Sequence, residues 1–356
     1  MNFDLTEDRR MLSDTLTRYL ADRYAIGDRS RTAYAAPFHD PDRWTELAEL
    51  GMAGALVPET AGGFGGTGFD IAVLFEALGR ALCPEPFLGT LLASRLMLAA
   101  DADQAQLISG ARRFAVGLAE IDAPYDIGHI ASTARRTGDG YCLTGRKTAV
   151  YGGQAADEFL LVALLDGAPA VFRADAAAVT VVGYGMIDGG GAAEVLMEDS
   201  PATLLLDNAT AAITGAVTAG RLALCAEAVG AMDAAYAILL DYLKTRKQFG
   251  VVIGSFQALQ HRTVDLLMEI EQARSITIAA AAALDGPDAA LKSAMAKTLI
   301  GRAARLVAEE TIQIHGGIAM TWDYAASHYA KRLIMLDHQL GDTDHCLDEV
   351  MQSYTA

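Results

Sequence analysis

The sequence predicts a mainly α chain with a β-domain in its middle. It reads as an N-terminal helical domain over residues 1–112, a middle β-barrel domain over 113–208 and a C-terminal four-helix bundle over 209–356. Three observations carry this. Apolar periodicity is helical, then short and strand-like, then helical again. Hydrophobic residues make up 52% of the chain but aromatics only 7%, an alanine-rich mixture that favours closely packed helices. The last third carries apolar stripes long enough for several extended helices.

Phe3, Met11, Leu12, Leu16 and Leu20 follow helical spacing at the start. A second helix is predicted over Asp42–Leu50, ending at Gly51, and the five-glycine stretch Pro58–Gly68 must be a loop. Helical spacing resumes over Phe69–Ala81, breaks at Pro84 and Pro86, and returns over Leu88–Ala100. In the middle, Gly138-Asp139-Gly140 separates two strand-like runs and reads as a hairpin. Phe159–Leu164, Ala170–Arg173, Val179–Tyr184 and Ala193–Met197 are further strands, with turns at Asp166-Gly167 and Gly189-Gly190-Gly191. So many short strands in one region suggest a small barrel or sandwich. Leu222, Cys225, Val229, Met232, Tyr236, Leu239 and Leu243 then form one stripe, and Phe256, Leu259, Thr263, Leu266, Ile270 and Ala273 a second. A third helix runs over Ala289–Ile314 and stops at Gly316-Gly317, and a final one begins near Asp342.

The formal charge is −17, and no basic run offsets it. Such a surface repels phosphate backbones, which argues against a nucleic-acid partner. Cys83, Cys142, Cys225 and Cys346 are too widely spaced for a disulfide framework or a zinc site, so no metal is expected. The charged N-terminus lacks the apolar core of a signal peptide. No window of membrane-spanning length escapes interruption by charge or glycine, so no membrane span is expected and the chain reads as cytoplasmic.

The most informative stretch is Arg246-Lys247-Gln248-Phe249-Gly250, followed by Ile253, Phe256-Gln257 and Gln260-His261; the second is Gln313-Ile314-His315-Gly316-Gly317 with Thr321-Trp322. Nearer the start stand Trp44, Leu50-Gly51, Val57-Pro58-Glu59, Gly62-Gly63-x-Gly65-Gly66 and Glu76-Ala77-Leu78-Gly79-Arg80. In this order and spacing they resemble the acyl-CoA dehydrogenase family across nearly the whole chain. The resemblance implies that family's fold, FAD as cofactor and an acyl-CoA thioester as substrate. It gives Arg246 the flavin pyrophosphate across a subunit interface, Phe249 the adenosine end, and Gln257 a hydrogen bond to the cofactor. Gln248 belongs to the same set. Gln313 and the Gly316-Gly317 turn would admit the ADP moiety at close range, as glycine permits.

Elsewhere the sequence departs from the family. Where members carry a Thr-Glu-Pro…Gly-Ser-Asp segment, this chain reads Leu118-Ala119-Glu120-Ile121…Pro124-Tyr125-Asp126. Where they carry Trp-Ile-Thr, it reads Ala149-Val150-Tyr151. The family's catalytic Glu sits at one of two places, and here these read Gly220 and Gly341. Asp342 is the adjacent carboxylate, and its alternative role is a helix N-cap. His315 reads as structural. This pattern is similar to bacterial steroid side-chain acyl-CoA dehydrogenases, heterotetramers in which one subunit type carries the Glu. It implies a subunit that supplies the trans half of a flavin site to a partner acyl-CoA dehydrogenase-like chain, with an electron-transferring flavoprotein as acceptor. The alternatives are a complete homomeric dehydrogenase, a homotetramer using Asp342 as base, and a flavin-free scaffold on the same fold.

Overall fold

In the computed structural model, residues 6–138 and 140–355 are described; Phe3 of the first stripe and Asp139 of the predicted hairpin lie outside them. In order, the helices are α1 (Glu7–Arg23), α2 (Ile26–Ala33), α3 (Pro41–Glu49), α4 (Gly68–Ala81), α5 (Phe87–Ala99) and α6 (Ala105–Ile108), then α7 (Thr210–Thr245), α8 (Gln257–Ala283), α9 (Ala289–His315), α10 (Ala325–Asp337) and α11 (Thr343–Thr355). Between α6 and α7 lie β1 (Phe114–Gly117), β2 (Thr133–Thr137), β3 (Gly140–Tyr151), β4 (Glu158–Leu165), β5 (Ala168–Asp175), β6 (Thr180–Gly185) and β7 (Gly191–Leu206). A short hairpin of β8 (Lys247–Gln248) and β9 (Val251–Val252) joins α7 to α8. The predicted helix–strand–helix order holds, and α10 is an element for which the sequence offered no clear stripe.

By internal contacts the chain divides into two units, one of Met1–Arg29, Ile71–Cys83 and Arg221–Ala356, the other of Ser30–Asp70 and Pro84–Gly220. The second unit contains the sheet. Strands β4, β2, β3, β7 and β5 pair in turn, and β5 pairs back to β4, so five strands close a barrel with β1 and β6 attached. Closure removes the exposed edges that an open sheet would leave. The period-2 pattern of β4 and β5 explains the filling. Phe159, Leu161, Ala163 and Leu165 from one, with Ala170, Phe172 and Ala174 from the other, meet Leu143, Val150, Val195 and Met197 inside. The Asp166-Gly167 turn has both residues at positive φ (52° and 87°), the backbone of a tight hairpin. The glycine-rich loop before α4 folds on itself. The amides of Gly63, Gly65 and Gly66 donate to the carbonyls of Pro58, Val57 and Ala55 at 2.9–3.1 Å, so they are consumed internally rather than presented to an anion.

The first unit is built on α7. Its predicted stripe is buried except for the half-buried Tyr236: Leu222, Cys225, Val229, Met232, Leu239 and Leu243 are each at most 4% exposed. By length and composition α7 could cross a membrane, with a mean hydropathy of 1.6, but 72% of that apolar window is buried inside the protein, the position of a core helix. It crosses α4 at backbone contact. A Cβ on Gly79 would overlap the Glu227 carbonyl, and one on Gly230 would overlap the Glu76 carbonyl. Around this crossing Arg80 and Arg274 both bind Glu76 and Asp233 at 2.8–3.1 Å, tying α8 to the same point. The Tyr329 hydroxyl on α10 donates to the Arg80 carbonyl at 2.6 Å. The Glu76–Arg80 motif is therefore the locus of a helix crossing. Overpacking a fitted contact costs about 1–3 kcal/mol, so Gly79→Ala and Gly230→Ala are each expected to lower stability by that amount in urea unfolding. Gly215→Ala, on the same helix with nothing within 4 Å of its Cβ, is expected to be neutral or stabilising by up to about 1 kcal/mol.

Candidate functional site

At the C-terminal end of α7 the Arg246 amide donates to the Tyr242 carbonyl at 2.8 Å, and the Ile253 amide returns to the Arg246 carbonyl at 2.9 Å, closing the base of the β8–β9 hairpin. The two turn residues, Phe249 and Gly250, lie at φ 51° and 80°. A two-residue turn with both φ positive matches the twist of the strands, but its first position ordinarily takes Asn, Asp or Gly. A phenylalanine there is held against steric preference. Phe249 is also 92% exposed, with the Phe256 ring 6.4 Å away between centroids. Arg246, Gln248 and Gln257 are exposed around it. Arg246 has no carboxylate partner among the described residues, a local cation on an acidic protein. The N-cap of α8 is Phe256, which has no side-chain acceptor for the first-turn amides.

Tyr242, one helical turn before Arg246, links this hairpin to the second sequence motif. Its hydroxyl donates to the His315 carbonyl at 3.1 Å and its ring lies 4.6 Å from the His315 ring. Beyond His315 the chain turns at Gly316, whose φ of 70° and ψ of −149° are open essentially to glycine alone. Gly317 has no such backbone demand, and a Cβ there would meet nothing within 4 Å. Neither conformation nor the chain's own packing calls for glycine at 317. Gln313 is exposed on the preceding turn. His315 itself is buried, with Nδ1 2.7 Å from the Thr311 carbonyl and a second ring contact to Tyr324. Burial pushes its pKa down despite that hydrogen bond.

The residues considered for proton abstraction lie elsewhere. Gly220 is buried within α7. Gly341, between α10 and α11, has φ 107°, and a Cβ there would come within 2.9 Å of Arg221 Nη2 and 3.0 Å of His345 Cδ2. Asp342 accepts the His345 amide at 2.9 Å, the geometry of an N-cap for α11.

In the barrel, the two departing segments are joined by contacts that the sequence reading did not single out. The Thr148 amide donates to the Ala119 carbonyl at 2.9 Å. Lys147, fully buried, donates to Glu120 Oε1 at 2.6 Å and to the Leu118 carbonyl at 3.3 Å. Glu120 also accepts the amides of Ala131 and Ser132 at 2.8 and 3.0 Å. The available signal was an acid shortly after one strand-like run and a base within another. Ala149 sits at φ 47° in a bulge of β3, and Thr148 and Arg146 both donate to Glu194 at 2.7 and 2.8 Å.

Comparison with known proteins decides the family. The Acyl-CoA dehydrogenase N-terminal domain matches residues 6–109, and the Acyl-CoA dehydrogenase C-terminal domain matches residues 210–352. Acyl-CoA dehydrogenase IpdE2 of Mycobacterium tuberculosis is 32% identical over 92% of this chain and 91% of its own length. The chain belongs to the acyl-CoA dehydrogenase family. Among solved structures, a variant of the Tcur3481-Tcur3483 steroid ACAD superposes with a TM-score of 0.90 at 27% identity, covering 98% of each chain. The caffeyl-CoA reductase-Etf complex subunit CarC of Acetobacterium woodii is 26% identical over 78% of this chain and 80% of its own.

Acyl-CoA dehydrogenases are flavoprotein oxidoreductases, and the barrel segments of this member are held by the Glu120–Lys147 pair. Burial alone would raise the Glu120 pKa, but the Lys147 ammonium and the donors of Ser132 and Ala131 outweigh it and hold the carboxyl at about 2. A depressed carboxylate stabilises the fold fully above its unfolded value near 4.5 and loses that contribution as the pH falls toward 2. Urea midpoints measured from neutral pH downward should therefore drop steeply below about pH 4.5. Glu120→Gln should flatten that dependence and cost about 3–5 kcal/mol at neutral pH by stranding Lys147. Adding Lys147→Met should recover much of the loss.

Proposed function

We propose that this chain is a subunit of an FAD-dependent acyl-CoA dehydrogenase that supplies the trans half of a flavin site to a partner acyl-CoA dehydrogenase-like subunit. Its substrate is proposed to be the CoA thioester of a steroid side chain. The observation that carries the reading is Phe249, an aromatic ring held in a left-handed turn and exposed to solvent near Arg246, which has no carboxylate partner among the described residues. A strained, exposed aromatic next to a free cation is what a stacked, anionic ligand requires, and backbone strain gathers at such places.

The residues fit the group. Arg246 offers the paired donors that a pyrophosphate takes, the uncapped first turn of α8 adds amide dipoles, and Phe249 covers the adenosine end. Gln248, Gln257 and Gln313 offer amide hydrogen bonds, and Gly316 with Gly317 leaves open space where a Cβ would stand. Bound FAD supplies the hydride acceptor for α,β-dehydrogenation of the thioester. The α-proton needs a carboxylate base, and neither Gly220 nor Gly341 provides one. The base therefore belongs to the partner, and an electron-transferring flavoprotein would serve as the electron acceptor. The steroid substrate is supported by the likeness to the Tcur3481-Tcur3483 steroid ACAD, and the acceptor by the likeness to CarC, a subunit of an Etf complex.

Purified with its partner, the chain should carry flavin and turn over substrate; alone it should hold flavin substoichiometrically and be inactive. In the assembly, Arg246→Ala and Phe249→Ala should each lower flavin affinity by about tenfold or more. Asp342→Asn, which keeps a good N-cap, should leave turnover unchanged. Full flavin occupancy and turnover by the lone chain would defeat the proposal, and abolition of turnover by Asp342→Asn would favour the homomeric alternative.

A further inference from the structure

The connection between α2 and α3 lies on the barrel unit as a strap of residues 33–40. The Gly190 amide, in the turn between β6 and β7, donates to the Ala33 carbonyl at 2.9 Å. Gln154 Nε2 donates to the Pro37 carbonyl at 3.3 Å, and the Asp40 amide donates to Glu85 Oε1 at 3.3 Å. The Phe38 ring rests on Gly185 at the end of β6, where a Cβ would come within 2.6 Å of it. Phe38 itself sits at φ 64°, a conformation that a phenylalanine adopts only when its surroundings impose it.

His39 fastens this strap. It is 2% exposed, and its ring joins two groups of opposite kind. Nδ1 is 3.1 Å from the Pro37 carbonyl, which can only accept, and Nε2 is 3.0 Å from Arg113 Nη1, which can only donate. These partners permit one state of the ring, neutral with its proton on Nδ1. A proton on Nε2 would set N–H against N–H and cation against cation. The carboxylates around it are committed elsewhere. Asp157 accepts the Arg113 amide, Nε and Nη2 at 2.9–3.1 Å, which anchors Arg113 at the start of β4. Asp40 caps α3 through the amides of Asp42 and Arg43 and pairs with the Arg43 guanidinium at 3.3 Å. Glu85 takes the Asp40 amide. Burial, joined by Arg113, outweighs the pull of the Pro37 carbonyl, Asp40 and Asp157 and lowers the His39 pKa from its ordinary 6.5.

We propose that the 33–40 strap is a proton-operated latch: a proton taken up at His39 Nε2 breaks the bond to Arg113, and the strap lifts from the β6–β7 turn while Arg113 stays on Asp157 and the barrel stays closed. Release also relieves the backbone of Phe38. The strand it uncovers is β6, which pairs with β7 among the described strands and sets Tyr184 opposite Ala192, itself the partner of Tyr151 beside the β3 bulge. The latch stands on the donor and acceptor pattern around His39 and is independent of the flavin-site reading above.

The sign follows from the states. Opening returns His39 to its ordinary value, so the latch is complete above about pH 6.5 and loosens as the pH falls below it. The test is amide hydrogen exchange on the full chain, in the assembly in which it purifies, from about pH 7.5 to about pH 5. After correction for intrinsic exchange, protection of the Asp40 and Gly190 amides should fall by up to about tenfold per pH unit below about 6.5, the limit for one proton. Protection in the β4–β5 ladder should not change. His39→Gln has no titrating ring and should remove the dependence. The proposal is overturned if wild-type protection of the strap is flat across this range, or if the β4–β5 ladder loses protection in step with it. It is equally overturned if the dependence survives in His39→Gln, which would assign it to Glu85 or Asp157 instead.

Discussion

The first unit depends on the contact between two bare stretches of backbone, α4 and α7 at Gly79 and Gly230. Each glycine faces a carbonyl of the other helix, so the crossing is reciprocal and admits no side chain on either partner. At that separation the helices exclude sliding as well as separation, and the Glu76, Asp233, Arg80 and Arg274 charges fix the rotation. What is fixed is α7. Arg221 and Arg246 are 25 residues apart on and just beyond this helix, about 37 Å at a helical rise of ~1.5 Å per residue. One arginine clamps the α10–α11 turn and the other stands beside the exposed hairpin, so α7 itself sets the distance between these two regions of the unit.

Buried charge in this protein mostly carries structural constraint. Glu227 and Arg332 pair at 2.6 Å beside the crossing, Lys147 and Glu120 tie two barrel segments, and Lys297 gathers three carbonyls. Each is paired or fully hydrogen-bonded, as a low-dielectric interior demands. None leaves a carboxylate free to act as a base.

The sequence exposed what is local. The α7 stripe and the stop at Gly316-Gly317 are written in local periodicity and turn chemistry, and the structure places them where these point. Longer-range features were less legible. Barrel closure depends on β4 pairing with both β2 and β5, and β7 runs through Pro201 to sixteen residues, far past the Ala193–Met197 stretch that alternation marks. Gly79 and Gly230 stand out singly as helix-interior glycines, but nothing in either segment says that they face one another. Glu120 and Lys147 are likewise unremarkable until the fold brings the segment after β1 against β3. For α10, Ser327, His328 and Asp337 are buried along with its apolar residues, so no clean stripe separates its faces.

An exposed Phe249, an exposed Met320 at 79% and an exposed Trp322 at 50% would be a liability on a chain meant to stand alone. The cost is tolerable if association covers them, because the same apolar contacts that make the lone chain prone to associate then drive assembly. The charge distribution adds a directional element. With a formal charge of −17, general attraction for an anionic dinucleotide is unfavourable, so binding must come from a few short-range donors in a desolvated place. On the proposed reading, Arg246 would become effective in that way only when a partner excludes water around it. Such a half-site would be weak by itself and strong in the assembly, making cofactor retention and subunit association two readings of one coupling free energy.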